Sequence, residues 1–230
     1  MALWKNDREL FSLMRRELFT ALVGDILDRN GYQKQFLPPR IRPLDPAMVV
    51  VGRAMPVLEA DISDETEPAI SESRTSKPFG IMFEALDALK TNEVYICSGA
   101  SPTYALWGGL MSTRAMYVGA SGAVLNGYSR DTNEILQLAF PTFSMGGYAQ
   151  DQGPRGKVVD FGVPIRFGDV SIEPDDLVFG DRDGVIVIPA EAEKDALEGA
   201  FDKARGEQLV RKSLAEGMTT VDAYAKFGIM

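Results

Sequence analysis

An arginine and an aspartate stand side by side at positions 130 and 131, shortly after the apolar run at 123–125. The run is typical of a short buried strand, Asn126-Gly127 predicts a tight turn, and a helix is expected to begin at Arg130-Asp131. Polar residues placed after a strand lie at its carboxyl end, where open α/β sheets bind ligands. Arg130 can bind a carboxylate through two parallel hydrogen bonds, and Asp131 can hold a hard divalent cation through oxygen.

Glu134 follows three residues later and is expected on the same helical face as Asp131. Arg130, Asp131 and Glu134 are therefore the candidate catalytic residues, suited to a substrate that is both a carboxylate and a metal chelator. Spacing alone leaves an alternative open, in which the pair is a surface ion pair and the aspartate caps the helix.

A second candidate feature is the pair Gly108-Gly109. If a helix begins there, the backbone N–H groups of Leu110 and Met111 are available to bind an anion. Close packing between helices would explain the same glycines equally well.

The composition narrows the possible chemistry. The chain has 230 residues, a formal net charge of −9, one cysteine and no histidine. Catalytic triads that use histidine are excluded, as are zinc sites built from histidine and cysteine. Any metal must be held by oxygen ligands, which favours Mg²⁺, Mn²⁺ or Ca²⁺.

The same sequence argues against several partners and locations. The acidic charge argues against a general nucleic-acid binder, and no dinucleotide or P-loop glycine motif occurs. No apolar run approaches the ~18 residues of a membrane span, and no signal-peptide pattern opens the chain. Cys97 lies in an apolar run and is expected to be a buried small hydrophobe, so the chain suits a reducing, cytoplasmic compartment.

Apolar periodicity predicts a single α/β domain over residues 1–230. It comprises N-terminal helices within 7–31, an α/β core at 48–188 and a helical tail at 190–230. Within the core we predict strands at 48–51, 94–97, 123–125 and 140–144, helices at 80–89 and about 104–116, and a hairpin turn at 181–184. The acidic stretch at 59–72 is interpreted as a solvated loop, with a metal-binding loop as the alternative.

Several motifs together resemble a known family. Gly109, twenty intervening residues, Arg130-Asp131, two residues and Glu134 match a G-x20-R-D-x2-E/D pattern. This pattern marks the class II pyruvate aldolases of the 4-hydroxy-4-methyl-2-oxoglutarate / 4-carboxy-4-hydroxy-2-oxoadipate type, which share a fold with the regulator of ribonuclease activity A. Supporting segments are TALVGDILDRNG at 20–31, VGRA at 51–54, GDRDGV at 180–185 and the tail at 215–228.

The resemblance implies an α/β/β/α swivelling-domain fold with mixed sheets and flanking helices, assembled as a homotrimer or homohexamer with sites between subunits. It also implies Mg²⁺ or Mn²⁺ at Asp131, a pyruvyl group bound by Arg130, and substrate binding at Gly109, Leu110 and Met111. Non-catalytic relatives lack the aspartate of the Arg-Asp pair, so its presence here favours an enzyme. Arg114 departs from the small residues usual in its helix, and it would select a second carboxylate if it faced the cleft.

Three functional hypotheses follow. The first is a divalent-metal-dependent lyase that cleaves 4-hydroxy-2-oxo acids to pyruvate and decarboxylates oxaloacetate. The second is a non-catalytic protein that binds and regulates an RNA-processing ribonuclease. The third is a related enzyme of hydroxy or keto acids with the same site and different chemistry.

Overall fold

The computed structural model describes residues 3–62 and 78–229. The chain forms two compact units, one made of Met1–Gln33 with Glu191–Met230 and the other of Lys34–Ala190. The single domain over residues 1–230 stays a prediction. In chain order the helices are α1 (Asp7–Glu17), α2 (Thr20–Arg29), α3 (Met82–Ala88), α4 (Gly109–Val118), α5 (Thr132–Leu138), α6 (Glu193–Ala215) and α7 (Thr220–Phe227). The strands are β1 (Arg42–Pro43), β2 (Val50–Asp61), β3 (Glu93–Ser98), β4 (Ala105–Trp107), β5 (Gly122–Leu125), β6 (Tyr128–Ser129), β7 (Thr142–Ser144), β8 (Gly156–Phe161), β9 (Ile165–Phe167), β10 (Val170–Ile172), β11 (Leu177–Asp181) and β12 (Gly184–Ile188).

Helices α1, α2, α6 and α7 make up the first unit. Helix α1 begins after Asn6, whose side chain caps it by accepting a hydrogen bond from the Glu9 N–H at 3.0 Å. Helices α2 and α6 are joined by an ion pair between Asp25 and Lys203, whose side chain is 5% exposed. The Asp25 side chain remains 57% exposed while it supplies the partner that a buried ammonium requires.

The second unit is built on a mixed sheet with strand order β1-β7-β5-β3-β2-β11-β12, in which β8 also pairs with β2. Strands β2, β3, β5 and β7 are parallel to their neighbours in that series, and the remaining pairs are antiparallel. Phe36 bridges to Ile186 of the far strand β12, so the segment that leads into β1 nearly closes the sheet. The predicted mixed α/β fold with flanking helices is confirmed.

Side chains alternate between two cores along the central strands. On β3, Tyr95 and Cys97 join the cluster that includes residues of α3, α4 and α5, whereas Val94 and Ile96 join the cluster on the opposite face of the sheet. This two-residue period is that of a strand buried on both faces. Cys97 is buried and free, as predicted.

The helix predicted at about 104–116 is wrong in its first part. Residues 105–107 form β4, and α4 begins only at Gly109. All three residues of β4 are buried, and they pair in parallel with β6. Pairing with β6 therefore decides the extended conformation of residues 105–107, and it overrides their own helix propensity.

The acidic stretch at 59–72 lies mostly outside the described residues, but its first part contradicts the solvated-loop prediction. Glu59 is buried in β2, and Asp61 accepts hydrogen bonds from Tyr104 and Ser101. The hairpin predicted at 181–184 is confirmed, since β11 and β12 pair up to Asp181 opposite Gly184. Within residues 3–62 and 78–229, no helix has both the length and the apolarity needed to cross a membrane.

Candidate active site

A short parallel pair of strands brings the candidate residues together. Strands β4 and β6 pair with Trp107 opposite Ser129, and the Arg130 N–H donates to the Trp107 carbonyl at 2.8 Å. Each strand is followed within three residues by a helix, α4 after β4 and α5 after β6. The loops that carry Gly108-Gly109 and Arg130-Asp131 therefore meet at one carboxyl edge, which is the expected place for a ligand.

Trp107 fixes the first turn of α4 against this edge. Its indole Nε1–H donates to Ser112 Oγ at 2.7 Å, and the Ser112 hydroxyl donates to the Gly108 carbonyl at 3.1 Å. The indole also stacks on Phe140, with ring centroids 5.9 Å apart. The N-terminus of α4 is thus held in place by buried groups.

Asp131 adopts a left-handed backbone conformation with a φ of 57°, which aspartate tolerates better than most residues. It occupies the N-cap position of α5, yet its side chain makes no capping hydrogen bond there. Instead Oδ2 accepts from the backbone N–H of Gly109 at 3.1 Å. The capping alternative is therefore wrong, and the carboxylate faces the N-terminus of α4.

Because Gly108 and Gly109 have no side chains, two carboxylates can lie close to the N-terminus of α4. A Cβ at position 108 would lie 2.6 Å from Asp131 Oδ2, and a Cβ at position 109 would lie 2.1 Å from Glu134 Oε2. Two acidic side chains therefore approach these glycines, and because Glu134 belongs to α5, close packing between α4 and α5 also accounts for Gly109. The N–H groups of Leu110 and Met111 make no hydrogen bond with the described residues, as expected for the first turn of a helix.

Arg130 is held by a residue that the sequence did not single out. Its Nη1 lies 2.5 Å from Asp151 Oδ1, whereas its Nε lies 3.8 Å from Asp131 Oδ2. The second oxygen of Asp151 accepts from the Gly153 N–H at 3.1 Å. Asp151 therefore binds the guanidinium at a different nitrogen from the one that lies nearest Asp131. Its place in a polar, glycine-containing loop was the only signal of this role in the sequence.

These residues surround a cavity of about 250 Å³. Arg130, Asp131, Leu110 and Met111 line it, while Gly109 and Glu134 are not among its lining residues. Arg114 does not line the cavity either, because its Nε binds Asp87 Oδ1 at 2.9 Å. The remaining lining residues are Phe79, Met82, Phe83, Ala105, Leu106, Trp107, Gly108, Asp151 and Gln152.

A buried carboxyl group stands behind the cavity. Glu59 is 2% exposed, and its Oε2 accepts from Gln152 Nε2 at 2.7 Å. Its Oε1 has no hydrogen-bond partner among the described residues. Burial raises the pKa of Glu59 to about 8, although the hydrogen bond from Gln152 acts in the opposite direction. Glu59 is therefore mainly protonated at neutral pH.

The described residues contain no group of three Asp, Glu, Cys or His side chains that would enclose a metal ion. A single carboxylate beside a substrate site is still a suitable donor for Mg²⁺, which commonly binds one or two protein carboxylates and completes its shell with substrate and water. Asp131 fits that description, since its side chain is 42% exposed and lies at the cavity.

Comparison with known proteins identifies a family that the chain matches. Residues 20–187 match the RraA-like family, described as Aldolase/RraA. A Halalkalibacterium halodurans protein named "Putative 4-hydroxy-4-methyl-2-oxoglutarate aldolase" is 27% identical over 209 residues, which cover 91% of this chain and 90% of that protein. An uncharacterized Methanocaldococcus jannaschii protein is 31% identical over 118 residues, but this match spans only 51% of the chain and 56% of that protein.

A solved structure extends the likeness to the fold. Streptomyces coelicolor RraAS2, described as an unusual member of the RNase ES inhibitor RraA protein family, superposes with a TM-score of 0.77. The match covers 91% of this chain and 100% of that one, at 21% identity. Because the family model matches residues 20–187, the family predicted from the motifs is confirmed, and the chain belongs to the RraA-like family.

Proposed function

We propose that this protein is a divalent-metal-dependent lyase that cleaves 4-hydroxy-2-oxo acids to pyruvate and also decarboxylates oxaloacetate. One observation carries the proposal: Arg130, the Asp131 carboxylate and the first-turn N–H groups of α4 all meet at one cavity. The aldolase name of the Halalkalibacterium relative supports the same reaction class. The trimer or hexamer implied by the motifs stays a prediction.

Arg130 and the N-terminus of α4 would bind the 2-oxo acid. A guanidinium carries five N–H donors, and Asp151 accepts from one of its nitrogens here, so donors are left for a substrate carboxylate or keto oxygen. The N–H groups of Leu110 and Met111 add backbone donors at the positive end of the helix. Asp151 keeps the guanidinium oriented between turnovers.

Asp131 would hold Mg²⁺ or Mn²⁺ through its exposed carboxylate. When bound, such an ion would supply Lewis-acid stabilisation of negative charge on the substrate oxygens. Arg130 acts on the same charge from the protein side, because its guanidinium is fixed next to Asp131 before the reaction begins.

Cleavage breaks the bond between C3 and C4 of the substrate. The C4 hydroxyl loses its proton and becomes a carbonyl, and the bonding electrons remain on C3 as the enolate of pyruvate beside Arg130. Protonation of C3 then gives pyruvate. In oxaloacetate the same bond breaks with loss of CO₂ and gives the same enolate. Since the chain has no histidine, we assign the base to a water held by carboxylates, with Glu134 as a positioning residue beside Gly109.

The second candidate function is a protein-binding regulator of a ribonuclease. The fold shared with RraAS2 is the observation that favours it. Regulation by surface contact requires neither a metal nor the Asp131 carboxylate, so the two functions respond differently to loss of that charge.

The test measures pyruvate release from 4-hydroxy-4-methyl-2-oxoglutarate and from oxaloacetate, with Mg²⁺ and with EDTA. Asp131→Asn keeps an oxygen for the Gly109 N–H and removes the charge, so we expect kcat to fall about 100-fold or more. Asp183→Asn, in the β11–β12 turn, is the matched control and should keep full activity. Mn²⁺ affinity measured by calorimetry should fall only in the Asp131 variant. A folded wild-type protein that releases no pyruvate above background from either acid, and that does not exchange the C3 protons of pyruvate with deuterium from solvent, contradicts the proposal.

A further inference from the structure

The cavity beside Arg130 is lined mainly by apolar side chains. Phe83 is 57% exposed and packs edge-on against Phe79, with ring centroids 5.9 Å apart. Leu110 is 83% exposed at the start of α4. Together with Phe79, Met82, Leu106 and Met111, these two side chains form an apolar wall.

Among the described residues that line the cavity, one cation is available to a substrate carboxylate. Arg130 is the only basic residue among the described lining residues, and it already faces the carboxylates of Asp131 and Asp151. Arg114, the nearest candidate for a second cation on α4, is bound to Asp87 and stacks over Tyr117 at 5.4 Å. A second carboxylate on the substrate would therefore lie against apolar side chains without a cation, which is a costly place for a charge.

Burial of an apolar substituent against the same wall is favourable. Removing apolar surface from water yields roughly 25 cal/mol per Å², and aromatic rings gain further from edge-to-face contact with rings such as those of Phe79 and Phe83. The lining, with one cation and an apolar wall, therefore matches a molecule that carries one carboxylate and one apolar group.

We propose that the preferred substrates are 2-oxo acids with a single carboxylate and an apolar, preferably aromatic, substituent at C4, rather than dicarboxylates. This specificity rests on the proposed lyase function, since it assigns Arg130 to the 2-oxo acid end. The apolar wall then selects the aldehyde that is released.

The experiment uses two acids that cannot be cleaved because they lack the C4 hydroxyl group. 2-Oxo-4-phenylbutanoate has the apolar substituent, and 2-oxoglutarate has the second carboxylate. Their dissociation constants are measured by calorimetry with the full-length protein and Mg²⁺. We expect the phenyl compound to bind at least about tenfold more tightly, which corresponds to about 1.4 kcal/mol.

Two matched variants test the wall itself. Phe83→Arg places a cation in the wall and should reverse the preference toward 2-oxoglutarate. Tyr117→Arg makes the same change at a side chain on α4 that is 83% exposed and does not line the cavity, so the preference should stay as in the wild type. The proposal is overturned if the wild-type protein binds 2-oxoglutarate as tightly as the phenyl compound or more tightly, as it would if a second copy of the chain supplied a cation. It is also overturned if neither acid binds.

A separate measurement keeps the two proposals apart. Exchange of the C3 protons of pyruvate with deuterium from solvent reports enolate formation without any C4 substituent. Exchange together with a 2-oxoglutarate preference overturns the specificity alone. A phenyl preference without exchange retains the specificity of the cavity and contradicts the lyase function.

Discussion

At the scale of single residues, the N-terminus of α4 is arranged around acidic side chains. The Gly109 N–H donates to Asp131, and the Glu134 carboxylate lies where a side chain at position 109 would begin. A helix N-terminus favours negative charge, so these carboxylates stabilise the helix while they stand beside the cavity. The φ of Gly109 is not in the left-handed region. Glycine is therefore required at this position because a side chain would collide with Glu134.

Gly109→Ala tests this arrangement. The new methyl group meets the end of a flexible glutamate side chain rather than backbone, so the protein should fold with a stability within about 1 kcal/mol of the wild type. Glu134 must move, however, and we expect kcat for pyruvate release to fall about 10- to 100-fold because small displacements at a reacting centre are costly. Steady-state kinetics and urea unfolding measure the two effects.

The control is the double variant Gly109→Ala/Glu134→Ala. If the alanine acts only by displacing Glu134, the double variant should be no slower than Glu134→Ala alone, because both changes remove the same interaction. Losses that multiply would show that the backbone of α4 has moved instead.

The sequence predicted Arg130, Asp131 and Glu134 because they are close in the chain and follow an apolar strand. It did not predict Asp151, which is separated from Arg130 by twenty residues and lies outside the helices and strands. A pairing of this kind depends on where a loop returns to the cavity. Periodicity within helices and strands carries no such information.

At the scale of elements, the decisive contact is the parallel pairing of β4 with β6. Each strand is only two or three residues long, and so neither has enough residues to show the alternation that marks a strand. This is why residues 105–107 were expected to be helical. The predicted helix ran through Gly108-Gly109, and a helix start at these glycines was only an alternative, although α4 does begin at Gly109.

Gly80 allows the segment that carries Phe79 of the apolar wall to lie close to β8. Hydrogen bonds of 3.1 Å on either side of it, from Ile81 to Val158 and from Val158 to Phe79, join this segment to β8. Its φ is 63°, and a Cβ there would lie 2.1 Å from the Val158 carbonyl oxygen. The position of Phe79 in the wall therefore depends on a residue without a side chain.

Gly80→Ala should destabilise the protein by the strain of a left-handed alanine and by the clash with backbone. Gly162→Ala is a matched control, because its φ is 67° and no atom lies within 4 Å of the new methyl group. We expect the control to lose about 1 kcal/mol and Gly80→Ala to lose at least about 2 kcal/mol more, as measured by urea unfolding. Equal decreases in the free energy of unfolding of the two variants would contradict this expectation, because the backbone at Val158 would then move away from the new methyl group without an energetic penalty.

At the scale of the whole molecule, the absence of histidine has a consequence for pH dependence. Histidine is the side chain whose ordinary pKa lies between pH 5 and 8. In this chain the described carboxyl group that titrates near the upper end of that range is Glu59, whose pKa burial raises to about 8. The composition excluded histidine chemistry, but it gave no sign of the buried glutamate, which was assigned to a solvated loop.

Stability should therefore fall as the pH rises from about 5 to 8. The folded protein keeps the Glu59 proton up to a pH of about 8, whereas the unfolded chain releases it near pH 4.5. Between these values unfolding releases a proton, which lowers the free energy of unfolding by at most about 1.4 kcal/mol per pH unit. Above pH 8 both states are ionised, and this contribution no longer changes.

Glu59→Gln removes the titrating group and keeps an oxygen that can accept from Gln152. Relative to the wild type, the variant should gain on the order of a few kcal/mol of stability between pH 5 and pH 8, as measured by urea unfolding at several pH values. Glu191→Gln, at an exposed position, controls for the loss of one acidic residue. Curves for Glu59→Gln and wild type that run parallel over this range would mean that Glu59 is ionised in the folded protein. Its burial against an unpartnered Oε1 would then require a cation that supports the charge.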